Sequence, residues 1–193
     1  MNKLFKNTLI VFFFTGLFFS TQAQTDNATA SHEVSIEIPE VAILDIEPAN
    51  NSFALAPTKP DEAGFALDFS KALNSDLWLN YSSIVGSSSD KSRTIDVKVG
   101  EGSIPDGLLL KVTASADNGS GDGKMGTPNA LPITLSSTAQ EIITGIGSCY
   151  TGSPEKNGHQ LTYALELNTA EGSYEKIDFD QSTTIKIVYT ISE

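Results

Sequence analysis

A chain of 193 residues with 24 acidic and 12 basic side chains carries a formal charge of −12 and is sized for one domain. That charge excludes a general affinity for nucleic acid or anionic lipid, because both rely on basic patches. One Cys and two His leave no ligand set for a metal site of the Cys/His kind.

The first segment reads as an address. Lys3 and Lys6 precede an apolar run from Leu9 to Phe19, and Ser20-Thr21-Gln22-Ala23 ends on a small residue with another two places before it. Six of the ten Phe fall within these first twenty residues. The run is too short to cross roughly 30 Å of hydrocarbon as a helix, so residues 1–23 are predicted to be a cleaved signal peptide. No Cys follows the cleavage site to take a bacterial lipid anchor. The protein is therefore expected in the periplasm, on the cell surface or in the medium, with no membrane span once the signal is removed.

Residues 24–31 (QTDNATAS) are polar and aperiodic and read as a flexible leader; residues 32–193 read as one domain. From His32 onward the main signal is alternation of apolar and polar residues with many β-branched side chains, the pattern of half-buried strands. Val34, Ile36 and Ile38 come first, then Val41 to Ile46 after Pro39. Phe65, Leu67 and Phe69 follow, and then Leu77, Leu79 and Tyr81 with Trp78 on the opposite face. Ile95, Val97 and Val99, then Leu108, Leu110, Val112 and Ala114, continue the series, as do Ile133 and Leu135. Leu161, Tyr163, Leu165 and Leu167 form the next row, and Ile185, Ile187, Tyr189 and Ile191 the last. Turn chemistry divides these runs, most clearly at Pro105-Asp106-Gly107, where Pro fixes one backbone angle and Gly accepts a positive one. Helical signals are slight: single turns at 69–73 and at 138–143, where Thr138 and Glu141 have capping-box spacing. The expected fold is all-β, a mainly antiparallel two-sheet sandwich of nine or ten strands, Ig-like or pilin-like.

Few residues carry chemistry. Gly121-Asp122-Gly123-Lys124-Met125-Gly126 has the dinucleotide spacing G-x-G-x-x-G, but no helix follows it to hold a pyrophosphate, so it reads as a chance match. In the same loop Asp117, Asn118, Ser120 and Asp122 make a candidate calcium site, with Gly123 at the sixth place of an EF-hand-like loop. Asn129 stands at the twelfth place where a bidentate Glu belongs, and the plainer reading is a solvated connection. No other cofactor is suggested.

Cys149 reads as a small buried apolar side chain, against an intermolecular bridge or a reactive thiol. Cys149 and His159 are the only residues that suggest a nucleophile and base, and nothing beyond proximity in sequence pairs them. His159 and His32 are expected to be solvated at strand starts. Asp178 and Asp180 would share one face of a strand, as paired carboxylates might, but a solvated acidic edge is the plainer reading. Trp78, Tyr81, Tyr150 and Tyr174 are candidates for an aromatic platform. Tyr81 is in phase with Leu77 and Leu79, which leaves Tyr150 and Tyr174 as the binding-surface candidates.

Ser148-Cys149-Tyr150-Thr151-Gly152, His159-Gln160-Leu161-Thr162-Tyr163 and the alternating Ile185 to Ile191 resemble exported, Ig-like, fimbrial-subunit-type β-sandwiches of Gram-negative bacteria. Those subunits usually carry a disulfide between early strands, which a single Cys cannot form. The resemblance implies a non-enzymatic structural or adhesive surface protein that contacts other subunits or a cell-surface partner. The alternative is a soluble extracellular or periplasmic binding module for carbohydrate or calcium.

Overall fold

The computed structural model of the protein describes residues 29–49, 52–152 and 156–193. The predicted signal peptide lies outside the described residues. The chain divides into two units, one ending at Glu37 and one running from Ile38 to Glu193.

In the first unit, residues 29–37 form neither helix nor strand. Val34 and Ile36 are 71 % and 84 % exposed, and Ile38, which opens the second unit, is 75 % exposed. The strand expected from Val34 to Ile38 is therefore not formed. Alternation marks a face that a strand would bury, but the backbone of this run pairs with no strand among the described residues.

Among its described residues the second unit holds eleven strands: β1 (Val41–Glu47), β2 (Leu73–Ile84), β3 (Arg93–Glu101), β4 (Leu108–Asp117), β5 (Asp122–Gly123), β6 (Thr127–Pro128), β7 (Ile133–Thr134), β8 (Gln140–Ile146), β9 (Cys149–Tyr150), β10 (His159–Leu167) and β11 (Lys186–Ser192). They make two antiparallel sheets. The larger runs β5-β9-β2-β10-β4-β7, with β1 also paired to β2; the smaller runs β11-β3-β8-β6. This is the two-sheet, all-β architecture that the alternation predicts.

Period two explains the core. Leu77, Leu79 and Tyr81 of β2 share the inner face with Leu110 and Val112 of β4 and with Leu161 and Tyr163 of β10. Ile95 and Val97 of β3 and Ile142, Ile143 and Ile146 of β8 face them from the smaller sheet. Ile142 and Ile143 are adjacent yet both buried. The β3–β8 register slips between Ile95 and Asp96, and such an irregularity lets two consecutive side chains turn inward. The capping-box spacing at Thr138 and Glu141 is overridden, because Gln140 to Ile146 gains more as a buried strand than as one helical turn.

Two other expectations change. Phe65, Leu67 and Phe69 form no named strand; Thr58 and Asp68 make an isolated bridge, and Phe65 is exposed. Asp178 and Asp180 do not share a strand face either, since the Asp178 carboxylate accepts from the Asp180 backbone N–H at 2.9 Å in a local turn. The Pro105-Asp106-Gly107 turn forms as expected: Gly107 has φ +81°, and Leu108 N–H donates to the Pro105 carbonyl at 3.2 Å.

β1 and β11 are edge strands of different sheets, and the groove between them is lined by Leu44, Asp45, Ile46, Ala49, Ile187 and Tyr189. Ile187 and Tyr189 are half-buried against the core rather than inside it. The sheets are tied by a 2.6 Å hydrogen bond between the hydroxyls of Tyr163 on β10 and Tyr189 on β11. Burial pushes the Tyr163 hydroxyl up to about 12 and Tyr189 well above its ordinary value, so both stay protonated. At the start of β3 the buried Arg93 guanidinium donates to Asp90 and Glu40, each at 2.5 Å.

Candidate functional site at the buried end of β10

Residues 79–83 of β2 collect the polar groups of the interior. β10 begins opposite Leu79, and β9 lies opposite Ser82 and Ser83. His159, the first residue of β10, is 0 % exposed, which corrects the expectation of a solvated strand start. Its parity explains this: His159 is two residues before Leu161 and four before Tyr163, so the pleat turns it inward with them.

Burial obliges each ring nitrogen to find a partner. Nδ1 lies 2.8 Å from the Ser115 carbonyl on β4, and Nε2 lies 2.8 Å from Tyr81 Oη on β2. The two rings are stacked, with centroids 5.6 Å apart and planes at 10°. Tyr81 Oη also donates to the Met125 carbonyl in the connection between β5 and β6. Asp117 stands opposite His159 in the β4–β10 register. One of its carboxylate oxygens accepts from Gly119 N–H at 2.8 Å; the other is buried with no hydrogen-bond partner among the described residues.

A second group of bonds fixes the connection that follows β9. Tyr81 N–H donates to Thr151 Oγ1 at 3.0 Å, and Thr151 N–H returns to the Tyr81 carbonyl at 3.0 Å. The amide nitrogen of Asn80 donates to the carbonyls of Gly152 at 3.1 Å and Asn157 at 2.9 Å. Gly158 has φ +76°, and a Cβ there would lie 2.3 Å from the Leu79 carbonyl, so the chain passes β2 too closely for any other residue.

Burial dominates the electrostatics. It lowers the pKa of His159, partly offset by the Ser115 hydrogen bond and the Asp117 charge. It raises the Tyr81 hydroxyl well above its ordinary value, and the thiolate that Cys149 forms only at high pH and then the Asp117 charge add to the shift. The Cys149 thiol is pushed up to about 11 by burial and then by Asp117, so it is a neutral, inert side chain at physiological pH. Cys149 and His159 lie opposite Ser83 and Leu79, whose backbones are four residues and so about 13 Å apart along β2, and both ring nitrogens of His159 go to other partners, Ser115 and Tyr81.

The sign of the pH effect follows directly. A base whose folded pKa is depressed binds protons better when unfolded, so its stabilising contribution is present above 6.5 and is lost as pH falls through the lowered value. Unfolding free energy is therefore expected to fall on acidification below about pH 6.5, by up to about 1.4 kcal/mol per pH unit from this residue. Urea titrations at several pH values should give a shallower slope for His159→Gln than for the parent.

The calcium candidates are turned to different partners. Asp117 caps Gly119, the Asn118 amide donates to the Lys156 carbonyl, Ser120 Oγ donates to the Thr151 carbonyl at 3.3 Å, and Asp122 accepts from Gly123 N–H at 2.7 Å. Adding calcium is expected to leave the melting temperature unchanged, because a folded-state ligand must bind to stabilise, and each of these side chains already bonds a separate neighbour, with one Asp117 oxygen alone left without a partner among the described residues. Scanning calorimetry with and without calcium checks it. The G-x-G-x-x-G match sits on β5 and the connection to β6, with no helix after it. Elsewhere, Glu40, Asp90 and Glu193 bring carboxylate oxygens within 4.8 Å of one another, and Arg93 already supplies positive charge to two of them.

Of the aromatic candidates, Tyr81 is core. Tyr150 is 53 % exposed, opposite Ser82 on β2 and Asp122 on β5. Tyr174 is 47 % exposed on a single 3-10 turn, and its hydroxyl accepts from Leu67 N–H at 3.2 Å. They lie on different elements from each other, and Trp78 of β2 is half-buried. Searches found no family model, no curated protein and no solved structure that matches this chain.

Proposed function

We propose that this is an exported, non-enzymatic structural or adhesive protein of the cell surface, a subunit of the fimbrial type that works by contact with other protein. The observation that carries the reading is the run from Val34 to Ile38. Three large apolar side chains at period two stand between 71 % and 84 % exposed, in a run that forms no strand. Apolar surface left uncovered in an ordered chain favours association, and an alternating run is suited to joining the edge of another sheet as an added strand.

The test removes residues 24–37 and keeps Glu40, the partner of Arg93. Sedimentation velocity of the two mature forms should show the intact chain self-associating or binding its surface partner and the shortened one losing that capacity. The melting temperature of the shortened form is expected within a few degrees of the parent. Association that is unchanged by the deletion would sink the proposal. Fractionation of the native cell with an antibody then tests the surface location.

A further inference from the structure

Two carbonyls, a phenol and an imidazole meet at the buried end of β10. A carbonyl oxygen only accepts, so the Ser115 contact takes its proton from His159 Nδ1. The Met125 contact takes the single proton of Tyr81 Oη. The remaining contact, 2.8 Å between Tyr81 Oη and His159 Nε2, then needs a proton of its own, and only Nε2 is left to bring it. Three contacts need three protons, while a neutral imidazole and a phenol carry two between them.

We propose that His159 is a buried proton-binding site whose occupancy decides whether Tyr81 clamps the Met125 connection onto β2. With a neutral imidazole, the phenol proton is divided between two acceptors, Nε2 and the Met125 carbonyl. When Nε2 takes up a proton from solvent, it donates to Tyr81 Oη, and the phenol proton is committed to Met125. No other bond forms or breaks, and the site gains one positive charge.

The groups facing His159 suit that charge. On β2 the only titratable neighbour is Tyr81, whose hydroxyl stays protonated. On β4 it is Asp117, opposite His159 in register and holding a buried carboxylate oxygen with no partner among the described residues. On β9 it is Cys149, a neutral thiol that reaches the site only through Tyr81. From the β5–β6 connection the contact is the Met125 carbonyl, while neighbouring Lys124 lies along Gly147. Burial holds His159 neutral at pH 7, so the proton enters only on acidification.

The experiment follows isotope-labelled protein by nuclear magnetic resonance from about pH 7.5 to about pH 4.5, the range in which a histidine changes charge. The imidazole nitrogens of His159 and the carbonyl carbon of Met125 are expected to titrate with one midpoint, below 6.5. The Met125 carbonyl should move downfield as it gains a full hydrogen bond. In Tyr81→Phe His159 should still titrate and the Met125 response should vanish; in His159→Gln the Met125 carbonyl should lose its pH dependence without any change at Tyr81. Asp117→Asn should lower the midpoint further. A Met125 carbonyl that stays constant while His159 titrates would overturn the proposal, as would a response that persists in both variants. Unfolding before His159 titrates would overturn it equally.

Discussion

Arg93→Ala is expected to lower the unfolding free energy by about 3–5 kcal/mol, because it leaves a buried carboxylate without its counter-charge. The Arg93 side chain is 4 % exposed and Asp90 11 %, whereas the other partner, Glu40, is 67 % exposed and returns to water at little cost. The burden therefore falls on Asp90, which has one carboxylate oxygen already buried and unpartnered among the described residues. Replacing both members together, as Arg93→Met with Asp90→Asn, should restore most of the loss, since no charge is then stranded and Asn tolerates the positive φ at position 90. Urea denaturation of Arg93→Met, Asp90→Asn and the double variant reads this as a cycle. A double variant no more stable than Arg93→Ala would mean that the pair acts through backbone geometry, where Asp90 holds φ +43°.

Leu79→Ala should cost about 2–5 kcal/mol, the range for opening a cavity in a packed interior. Leu79 is fully buried between the sheets and stands opposite His159, so the loss also loosens the ring stacking beside it. Ile187→Ala on β11 is the contrast: an isoleucine of equal apolar weight, half-buried on an edge strand, should cost about 1–2 kcal/mol. Equal losses at the two positions, read from the shift of the urea midpoints, would contradict the placement of the core.

Much of the sandwich was legible because period two is a local property. Leu77-Leu79-Tyr81, Ile95-Val97 and Leu161-Tyr163 each state which face is buried, and the structure buries those faces. Pairing is not local. Val34-Ile36-Ile38 and Phe65-Leu67-Phe69 alternate equally well and form no ladder, because nothing in a short run says whether a partner edge is free. The same limit hid the short strands β5, β6 and β9, which exist only through the neighbours they meet. The polar site was half legible. His159 continues the row of Leu161 and Tyr163, and its parity alone marks it as inward, but a histidine at the head of a run reads as polar and therefore outside. That Tyr81, Ser115, Met125 and Asp117 would meet it required the register of β2, β4 and β10.

The pairing of β11 with β3 has a kinetic side. Lys186 meets Glu101, 85 positions earlier in the chain, and β10 reaches back to β2 over a similar span. Closing loops of that length is slow, and sheets built on distant partners fold late compared with hairpins. A chain synthesised from its N-terminus exposes Ile95, Val97 and Val99 on β3 well before the strand that covers that edge exists. During that interval β3 is an open apolar edge of the sort that seeds mispairing between chains. β3 is therefore the edge that stays open longest, and it closes only when β11 pairs with it.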